Sequence, residues 1–292
     1  MATYLGGFNE DRSFSCSLDS QGNVYITGQT TSVNNIATSG SHQAVLNNFT
    51  DAFLAKFDTH GNCLWSTYYG GNLSDISYSC FVSNTNEVFI TGTTSSVNNI
   101  ATNGTHQNAN GGQIDAFLVK FNSNGTRQWG TYFGGSDNDY SYSCATDMNG
   151  NTYITGATRS LNNVVTLGAH QNNYGGGFQD SFLAKFDNNG NCLWSTYFGG
   201  SEEDVTWSCS VDLNDNVIIA GYTSSNNNIA TSLAHQASYS GGSYDGFIAK
   251  FKNNGSLLWS SYYGGSETDF GRSCTNDSNG NIYFSGTTNS IN

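Results

Sequence analysis

The amino-acid sequence repeats one short segment at an almost constant interval, which leaves few folds open to the chain. The segment DAFLAKFD begins at Asp51, and related segments begin at Asp115, Asp180 and Asp245, so the period is 64 or 65 residues. A second phrase, which runs from Gly-Gly to Cys, occurs five times. Self-similarity at a fixed period of this size is typical of solenoids and propellers.

Each repeat contains four strand-like segments and no helix signal. In the third repeat, residues 140–147 alternate in polarity, residues 152–158 are rich in β-branched and aromatic types, and residues 180–186 and 192–200 follow as further strands. We call these strands A to D in chain order. Asn-Gly turns join A to B and C to D, as in β-hairpins. Four antiparallel strands per repeat predict one propeller blade.

The unequal counts of the two phrases predict an incomplete repeat. We expect an all-β fold, a β-propeller of four-stranded antiparallel blades with about 65 residues per blade, in which four blades are complete and a fifth is partial. The expected single domain covers residues 1–292, with blades at approximately 8–71, 72–135, 136–200 and 201–265, and a partial blade at 266–292 that residues 1–7 complete. Either the chain closes a five-bladed ring, or it is part of a longer array. An open fifth blade also predicts self-association.

Composition narrows the classes of partner. The net charge is −13, and the nine Lys and Arg residues are scattered, which argues against nucleic-acid binding. No stretch approaches about 18 consecutive apolar residues, so we expect no membrane insertion. The first residues lead directly into a repeat and show no export signal.

Seven cysteines cannot all pair within one chain. Five of them occupy the same repeat position, and equivalent positions of radiating blades lie too far apart for a disulfide. We expect these five to be small, buried, unpaired side chains. They are Cys16, Cys80, Cys144, Cys209 and Cys274.

Three other residue types recur once per blade. An Asp five residues before each Cys is a candidate calcium ligand, or else a cap that accepts N–H bonds from its own turn. A His in the long B–C loop suggests a metal site, but one His per blade favours a loop anchor over a shared zinc ion. A Lys in strand C predicts an ion pair within the blade, with the Asp that opens the same strand as a candidate partner. The Asp set is Asp11, Asp75, Asp139, Asp204 and Asp269, the His set is His42, His106, His170 and His235, and the Lys set is Lys56, Lys120, Lys185 and Lys250.

Positions that vary between repeats are where a specific function is expected. The B–C loops are long and polar and carry aromatic residues, a composition that suits sugar hydroxyl groups and sugar C–H faces. The candidate ligand-binding residues are Phe49, Tyr174, Phe178, Tyr239 and Tyr244. The tryptophans that recur in strand D are interpreted as core.

Three segments together resemble a known family. WSTYYGG at Trp65, DSQGNVYITGQT at Asp19 and DAFLAKFD at Asp51 are similar to the SBBP-type β-propeller repeat of large secreted and cell-surface bacterial proteins. The Ile-Ala-Thr and His-Gln elements of the B–C loop resemble a variety common in proteins exported by the type IX system. The resemblance implies a secreted or cell-surface location.

The sequence contains no catalytic motif of the common hydrolase, phosphate-loop or zinc-protease types. We therefore expect a non-catalytic binding or adhesion module whose partner is a glycan or a surface protein, without a cofactor other than the candidate calcium. Two alternatives are a structural spacer and a hydrolase. The hydrolase would use the acidic run Glu202, Glu203 and Asp204, because glycosidases need paired carboxyl groups.

Overall fold

The computed structural model describes residues 2–291, which form eighteen β-strands and no helix. The chain divides into two compact units. Unit 1 contains residues 2–134 and 189–191, and unit 2 contains residues 135–188 and 192–291. Met1 and Asn292, the ends of the predicted single domain, lie outside the described residues.

Unit 1 contains two four-stranded antiparallel sheets, each with its strands in chain order. The strands of the first sheet are β1 (Asp11–Leu18), β2 (Val24–Thr30), β3 (Asp51–Phe57) and β4 (Cys63–Tyr69). The strands of the second sheet are β5 (Asp75–Val82), β6 (Val88–Thr94), β7 (Asp115–Phe121) and β8 (Arg127–Phe133).

Unit 2 contains two further four-stranded sheets and one two-stranded sheet. The first sheet has β9 (Asp139–Thr146), β10 (Thr152–Thr158), β11 (Asp180–Phe186) and β12 (Cys192–Phe198). The second sheet has β13 (Asp204–Val211), β14 (Val217–Thr223), β15 (Asp245–Phe251) and β16 (Leu257–Tyr263). The two-stranded sheet pairs β17 (Asp269–Asn276) with β18 (Ile282–Thr288).

Successive sheets within a unit pack face to face. Strand A of one sheet lies against strands A, B and C of the sheet before it, as β5 does in unit 1 and β13 and β17 do in unit 2. Strand C is buried on both sides along its whole length in the first and third blades, which explains its apolar sequence. The predicted all-β fold with four-stranded antiparallel blades is confirmed.

Every strand A carries a β-bulge opposite a glycine in strand B. In the third blade the register shifts between Thr155 and Gly156. A Cβ atom on Gly156 would lie 1.8 Å from the carbonyl oxygen of Tyr140, so a side chain cannot fit there. The glycine in each TYITGAT-like segment thus allows the two backbones to approach closely. The bulge also changes the direction in which the side chain of the extra residue in strand A points.

The partial blade differs from the expectation at the N-terminus. Residues 2–7 form no strand, and Leu5 packs against Ile36, Phe53 and Tyr68 of the first blade. These residues therefore add no strand to the β17–β18 sheet, which has two strands in the described part of the chain. The outer strand β18 is largely exposed, whereas its counterparts β6 and β10 are buried throughout.

The recurring cysteines are free thiols, and four of the five are buried as predicted. The fifth, Cys16, is exposed, so the expectation was wrong at this position. Cys80 is covered because β5 packs on the first blade, where its Sγ atom lies 3.7 Å from Ser15 Oγ. Cys16 lies on β1, and within the described part of unit 1 no sheet precedes β1 to cover it in the same way.

Candidate functional site

The strand A bulges present a row of large side chains. The bulged residue stands two positions before each recurring Cys, and its side chain is only half-buried or exposed. The row comprises Phe14 and Tyr78 in unit 1, and Tyr142, Trp207 and Arg272 in unit 2. In unit 1 the two rings lie 5.4 Å apart.

In unit 2 these side chains form part of a longer contact chain. The rings of Tyr142 and Trp207 stack at 4.4 Å with an angle of 25° between their planes. The Tyr140 ring is nearly parallel to that of Tyr142 at a centroid distance of 6.3 Å, and the Arg272 guanidinium lies 5.4 Å from the centre of the Trp207 ring. The stack is therefore extended at one end by an aromatic ring and at the other by a cation.

Side chains from the B–C loops, from strand B and from the start of β17 extend this surface at both ends. Arg159 lies 3.7 Å from the centre of the Phe178 ring and 6.0 Å from that of Tyr140. At the other end, Phe270 contacts Arg272, Tyr222 and Tyr244. We define the aromatic surface of unit 2 by these residues: Phe178, Arg159, Tyr140, Tyr142, Trp207, Arg272, Phe270, Tyr222 and Tyr244.

The carboxylate at the edge of the aromatic surface is hydrogen-bonded, whereas the two guanidinium groups on the surface form no ion pair within residues 2–291. Glu203 at its edge accepts hydrogen bonds from Gln179 Nε2 at 2.8 Å and Tyr244 Oη at 2.9 Å, so both carboxylate oxygens are engaged. Among residues 2–291, neither Arg159 nor Arg272 has a carboxylate oxygen within 4.0 Å. In a chain with net charge −13, this surface thus carries two guanidinium groups that no acidic side chain neutralises directly.

The structure brings together two of the five predicted aromatic residues, Phe178 and Tyr244. Tyr174 and Tyr239 instead pack edge-on against strand D tyrosines, and their hydroxyl groups donate to loop carbonyls of Gly177 and Gly242. Phe49 is 72% exposed and belongs to unit 1. The residues that sequence reasoning missed, above all Tyr142 and Trp207, had a visible signal, because the position before each Ser-Cys pair varies and is mostly aromatic.

The recurring Asp residues of strand A make the contacts of turn caps. Asp75 Oδ2 accepts hydrogen bonds from Gly71 N and Ser96 Oγ, both at 2.8 Å. The equivalent oxygens of Asp11, Asp139, Asp204 and Asp269 accept the same pair of bonds, one from the glycine N–H four residues before and one from the serine hydroxyl 21 residues after. Across residues 2–291, no three His, Cys, Asp or Glu side chains lie together as a metal site requires.

At Asp75, Asp204 and Asp269 a second buried carboxyl group faces the cap across the first glycine of the Gly-Gly pair. Asp51, which opens β3, accepts hydrogen bonds from Gln43 Nε2 at 2.5 Å and Asn47 N at 3.0 Å. A Cβ atom on Gly70 would lie 2.6 Å from an oxygen of Asp51 and 2.6 Å from an oxygen of Asp75. Burial raises the pKa of Asp51 to about 6 and that of Asp75 to about 7, and the Asp51 charge adds to the second shift. Glycine recurs here because a side chain would collide with both carboxyl groups.

The strand C lysines do form ion pairs within the blade, but the proposed partner was wrong. Each Nζ atom lies near a carboxylate of the A–B turn and not near the Asp that opens strand C. Asp51 and Lys56 are five residues apart, and an odd spacing places two strand residues on opposite faces. The pairs are Lys56 with Asp19 at 3.2 Å, Lys120 with Glu87 at 3.6 Å, Lys185 with Asp147 at 3.0 Å and Lys250 with Asp212 at 2.7 Å.

The loop histidines lie against aromatic rings of the blades. The His42 ring is 6.2 Å from Tyr69 and 5.8 Å from Phe121. Loss of hydration in these surroundings, together with the positive charge of Arg127, lowers the pKa of His42 to about 4. A neutral ring that packs on aromatic groups is what the loop-anchor interpretation requires. His170 has the same kind of neighbours, Phe198 and Phe251.

The three acidic residues that would serve a hydrolase lie in three different environments. Glu202 is exposed, Glu203 is held by Gln179 and Tyr244, and Asp204 is buried as a turn cap. The run therefore does not present two carboxyl groups to a common space.

Comparisons with known proteins place the chain among repeat proteins. A family model described as a β-propeller repeat, SBBP, matches residues 128–163 and 258–292. An uncharacterised WD repeat-containing protein of Acanthamoeba polyphaga mimivirus is 26% identical over 261 residues, which is 70% of this chain and 17% of that protein. The chain thus spans only a small part of this relative.

One solved structure with low sequence identity shares the fold, and a second is a weaker match. A protein of unknown function from Dyadobacter fermentans is 10% identical with a TM-score of 0.52, over 94% of this chain and 74% of that one. A gluconolactonase from Xanthomonas campestris is 11% identical with a TM-score of 0.44, over 94% of this chain and 69% of that one. Within residues 2–291 there is no helix that could cross a lipid bilayer. The chain carries SBBP β-propeller repeats, as the resemblance of its sequence indicated.

Proposed function

We propose that this chain is a non-catalytic glycan-binding module of a secreted or cell-surface protein, and that the aromatic surface of unit 2 is its binding site. The observation that carries the proposal is the half-buried stack of Tyr142 and Trp207 with Arg272 beside it. The resemblance of the repeats to those of secreted and cell-surface proteins supports the proposed location. The scaffold holds the stack on paired strands, so the binding groups are ordered before a ligand arrives.

The chemistry of the surface suits acidic sugars. Ring faces and edges pack against the C–H groups of a pyranose, while guanidinium groups form paired hydrogen bonds with carboxylates. Arg159 and Arg272 lie at opposite ends of the Tyr140, Tyr142 and Trp207 stack. A sugar chain that carries carboxylates would meet a cation at either end of the aromatic rings.

The test is a glycan-array screen of the whole chain, run once with calcium and once with a chelator. We expect binding to uronate-containing or sialylated glycans that is unchanged by the chelator. Trp207→Ala and Arg272→Gln should each weaken binding at least about tenfold, because each removes a central contact. Phe49→Ala is the matched control, since Phe49 is an exposed loop aromatic outside the aromatic surface.

Other outcomes would support the alternatives. Loss of binding in the presence of the chelator would indicate that the strand A Asp residues bind calcium and that the ligand needs it. An array without any bound glycan would overturn the proposal and favour the structural spacer. Cleavage of an array glycan, abolished by Glu203→Gln, would favour the hydrolase.

A further inference from the structure

A cleft between the first two blades, within unit 1, contains an arginine without a counter-ion. We propose that this cleft binds the carboxylate group of a small hydroxylated acid, such as a sugar acid, and that Arg127 holds the carboxylate. We call it the Arg127 cleft. Its volume is about 370 Å³, and its lining includes Gly40, His42, Thr102, Asn124, Thr126 and Arg127.

Arg127 differs from the other Lys and Arg residues of unit 1, which all form ion pairs. The pairs are Arg12 with Glu10, Lys56 with Asp19 and Lys120 with Glu87. Within residues 2–291, no carboxylate oxygen lies within 4.0 Å of the Arg127 guanidinium. The net charge of the chain is −13, so an unpaired cation in a cleft is a local site of attraction for an anion.

The guanidinium is held in place by the backbone of the second B–C loop. Arg127 Nη1 donates to the carbonyl oxygen of Asn99 at 2.9 Å and to that of Ile100 at 3.5 Å. Both bonds come from one nitrogen atom, whereas a guanidinium carries N–H donors on all of its nitrogens. Donors on the other nitrogens can pair with the two oxygens of a carboxylate.

Both walls of the cleft are fixed by hydrogen bonds. The B–C loop of the first blade is held to strand D, where Thr38 N donates to the carbonyl oxygen of Ser66 at 2.9 Å. The C–D turn of the second blade is held to the first blade, because Trp65 Nε1 donates to the carbonyl oxygen of Ser123 at 3.0 Å. The binding groups are therefore ordered before a ligand arrives.

The donors of the cleft favour a carboxylate over a phosphate. The backbone N–H groups of Asn124 and Thr126 both donate to Asn122 Oδ1 at 3.0 Å. The N–H group of Gly125 donates to the carbonyl oxygen of Asn122 at 3.0 Å. The turn thus offers no nest of free N–H groups for a phosphate. The exposed side chains of Asn124 and Thr126 can instead bond the hydroxyl groups of a sugar acid.

No other blade has a cation at this position. Arg127 opens β8, and the residues that open the other D strands are Cys63, Cys192 and Leu257. In unit 2, His170 and Leu257 line the corresponding cleft, which has a volume of about 570 Å³ and no Lys or Arg in its lining. The repeat fold therefore does not require Arg127, as is expected of a residue that serves a ligand.

The Arg127 cleft and the aromatic surface share no residue. The cleft is lined by residues of unit 1, and the aromatic surface is formed by residues of unit 2. A substitution at Arg127 therefore leaves every group of the aromatic surface in place. Binding in the cleft does not depend on the proposed glycan site, and either can fail without the other.

The test follows the ring signals of His42 by NMR while glucuronate is added to the whole chain with isotope-labelled histidine. A local signal is needed because the aromatic surface is also expected to bind acidic sugars. We expect a saturable shift of the His42 signals, since His42 lines the cleft with Arg127. Glucose, which has hydroxyl groups but no carboxylate, should cause no shift. The His60 signals are the internal control, because His60 lies in the C–D turn of the first blade.

Three substitutions test the role of the guanidinium. Arg127→Leu should weaken glucuronate binding at His42 at least about tenfold, because the charged hydrogen bonds are lost. The fourth blade already has leucine at this position, so the repeat accommodates it. Arg127→Lys keeps the charge without the planar fork and should weaken binding about threefold. Lys252→Leu controls for net charge, since Lys252 is exposed in a C–D turn of unit 2.

Three outcomes would overturn the proposal. They are the absence of a saturable shift at His42, an unchanged affinity in Arg127→Leu, and binding of glucose or inorganic phosphate as tight as that of glucuronate. The melting temperature of each variant, compared with that of the parent chain, verifies that a loss of binding is not a loss of folding.

Discussion

The ammonium group of Lys185 lies 3.0 Å from the Oδ2 atom of Asp147, and both side chains are almost entirely buried. The lysine belongs to strand C and the aspartate to the turn between strands A and B. This ion pair thus fixes a turn to a strand that follows it only after the long B–C loop. Removing one partner of a buried pair leaves an uncompensated charge in the protein interior.

Lys185→Met should therefore lower the free energy of unfolding by about 3 kcal/mol, measured by urea denaturation. Lys120→Met is the matched comparison, because its partner Glu87 is 30% exposed and 3.6 Å away. A partly solvated pair contributes little, so this change should cost less than about 1 kcal/mol. Equal losses for the two variants would show that burial of the carboxylate does not govern the effect.

Gly156→Ala should lower the free energy of unfolding by at least about 2 kcal/mol, because the new Cβ must displace the Tyr140 carbonyl at the bulge. Gly168→Asn is the control. Gly168 has φ near +82° with nothing within 4 Å, and Asn tolerates this conformation. The control should change the same free energy by less than about 0.5 kcal/mol. A Gly156→Ala protein as stable as the control would contradict the role given to the bulge.

The buried carboxyl groups predict that stability falls between pH 4 and pH 7. Burial raises the pKa of Asp75, Asp180 and Asp204 to about 7 and that of Asp115 to about 6, whereas an ordinary value is 3.8. Between these values the folded chain holds protons that the unfolded chain releases, so raising the pH favours unfolding. Above about pH 7 the loss is complete and stays constant.

The measurement is the melting temperature at pH 5 and pH 8, which should be higher at pH 5. Asp180→Asn should reduce the difference, because an amide does not titrate. Asp19 and Asp212 act in the opposite direction, since hydrogen bonds and their lysines hold the pKa of each below 3.8 against the effect of burial. Their stabilisation is lost below about pH 4. A melting temperature that rises from pH 5 to pH 8 would contradict the prediction.

The thiols should separate into two reactivity classes. Cys16 and Cys63 are exposed, whereas burial raises the pKa of Cys80 and Cys209 to about 12. Because the thiolate is the reactive form, alkylation of the native chain at pH 7.5 should modify the two exposed thiols first. Peptide mass spectrometry identifies them, and the unfolded chain, in which all thiols are accessible, is the control. Early modification of Cys80 would show that β5 is not held against the first blade as described.

Much of the fold could be predicted from one repeat. Alternating polarity, Asn-Gly turns and the strand C pattern are local signals, and they identified the four strands of a blade and the number of complete blades. The loop histidines could also be interpreted locally, because one residue per repeat is incompatible with a shared metal ion.

Contacts between distant parts of a repeat were harder to predict. The lysine partner was missed because Asp51 is close to Lys56 in sequence but lies on the other face of the strand. The aromatic surface was missed because Tyr142 and Trp207 lie at bulges, and a bulge changes where a side chain points without changing the strand pattern.

The repeat, its strands and its turns can be read from the amino-acid sequence, because the period-two pattern and the turn residues act over a few neighbouring positions. Three features are visible only in the folded chain: which side chains meet across blades, the position of residues 2–7 against the first blade, and the uncovered edge of β18. These contacts depend on register and on what packs against each sheet. Neither is encoded in the residues of a single strand.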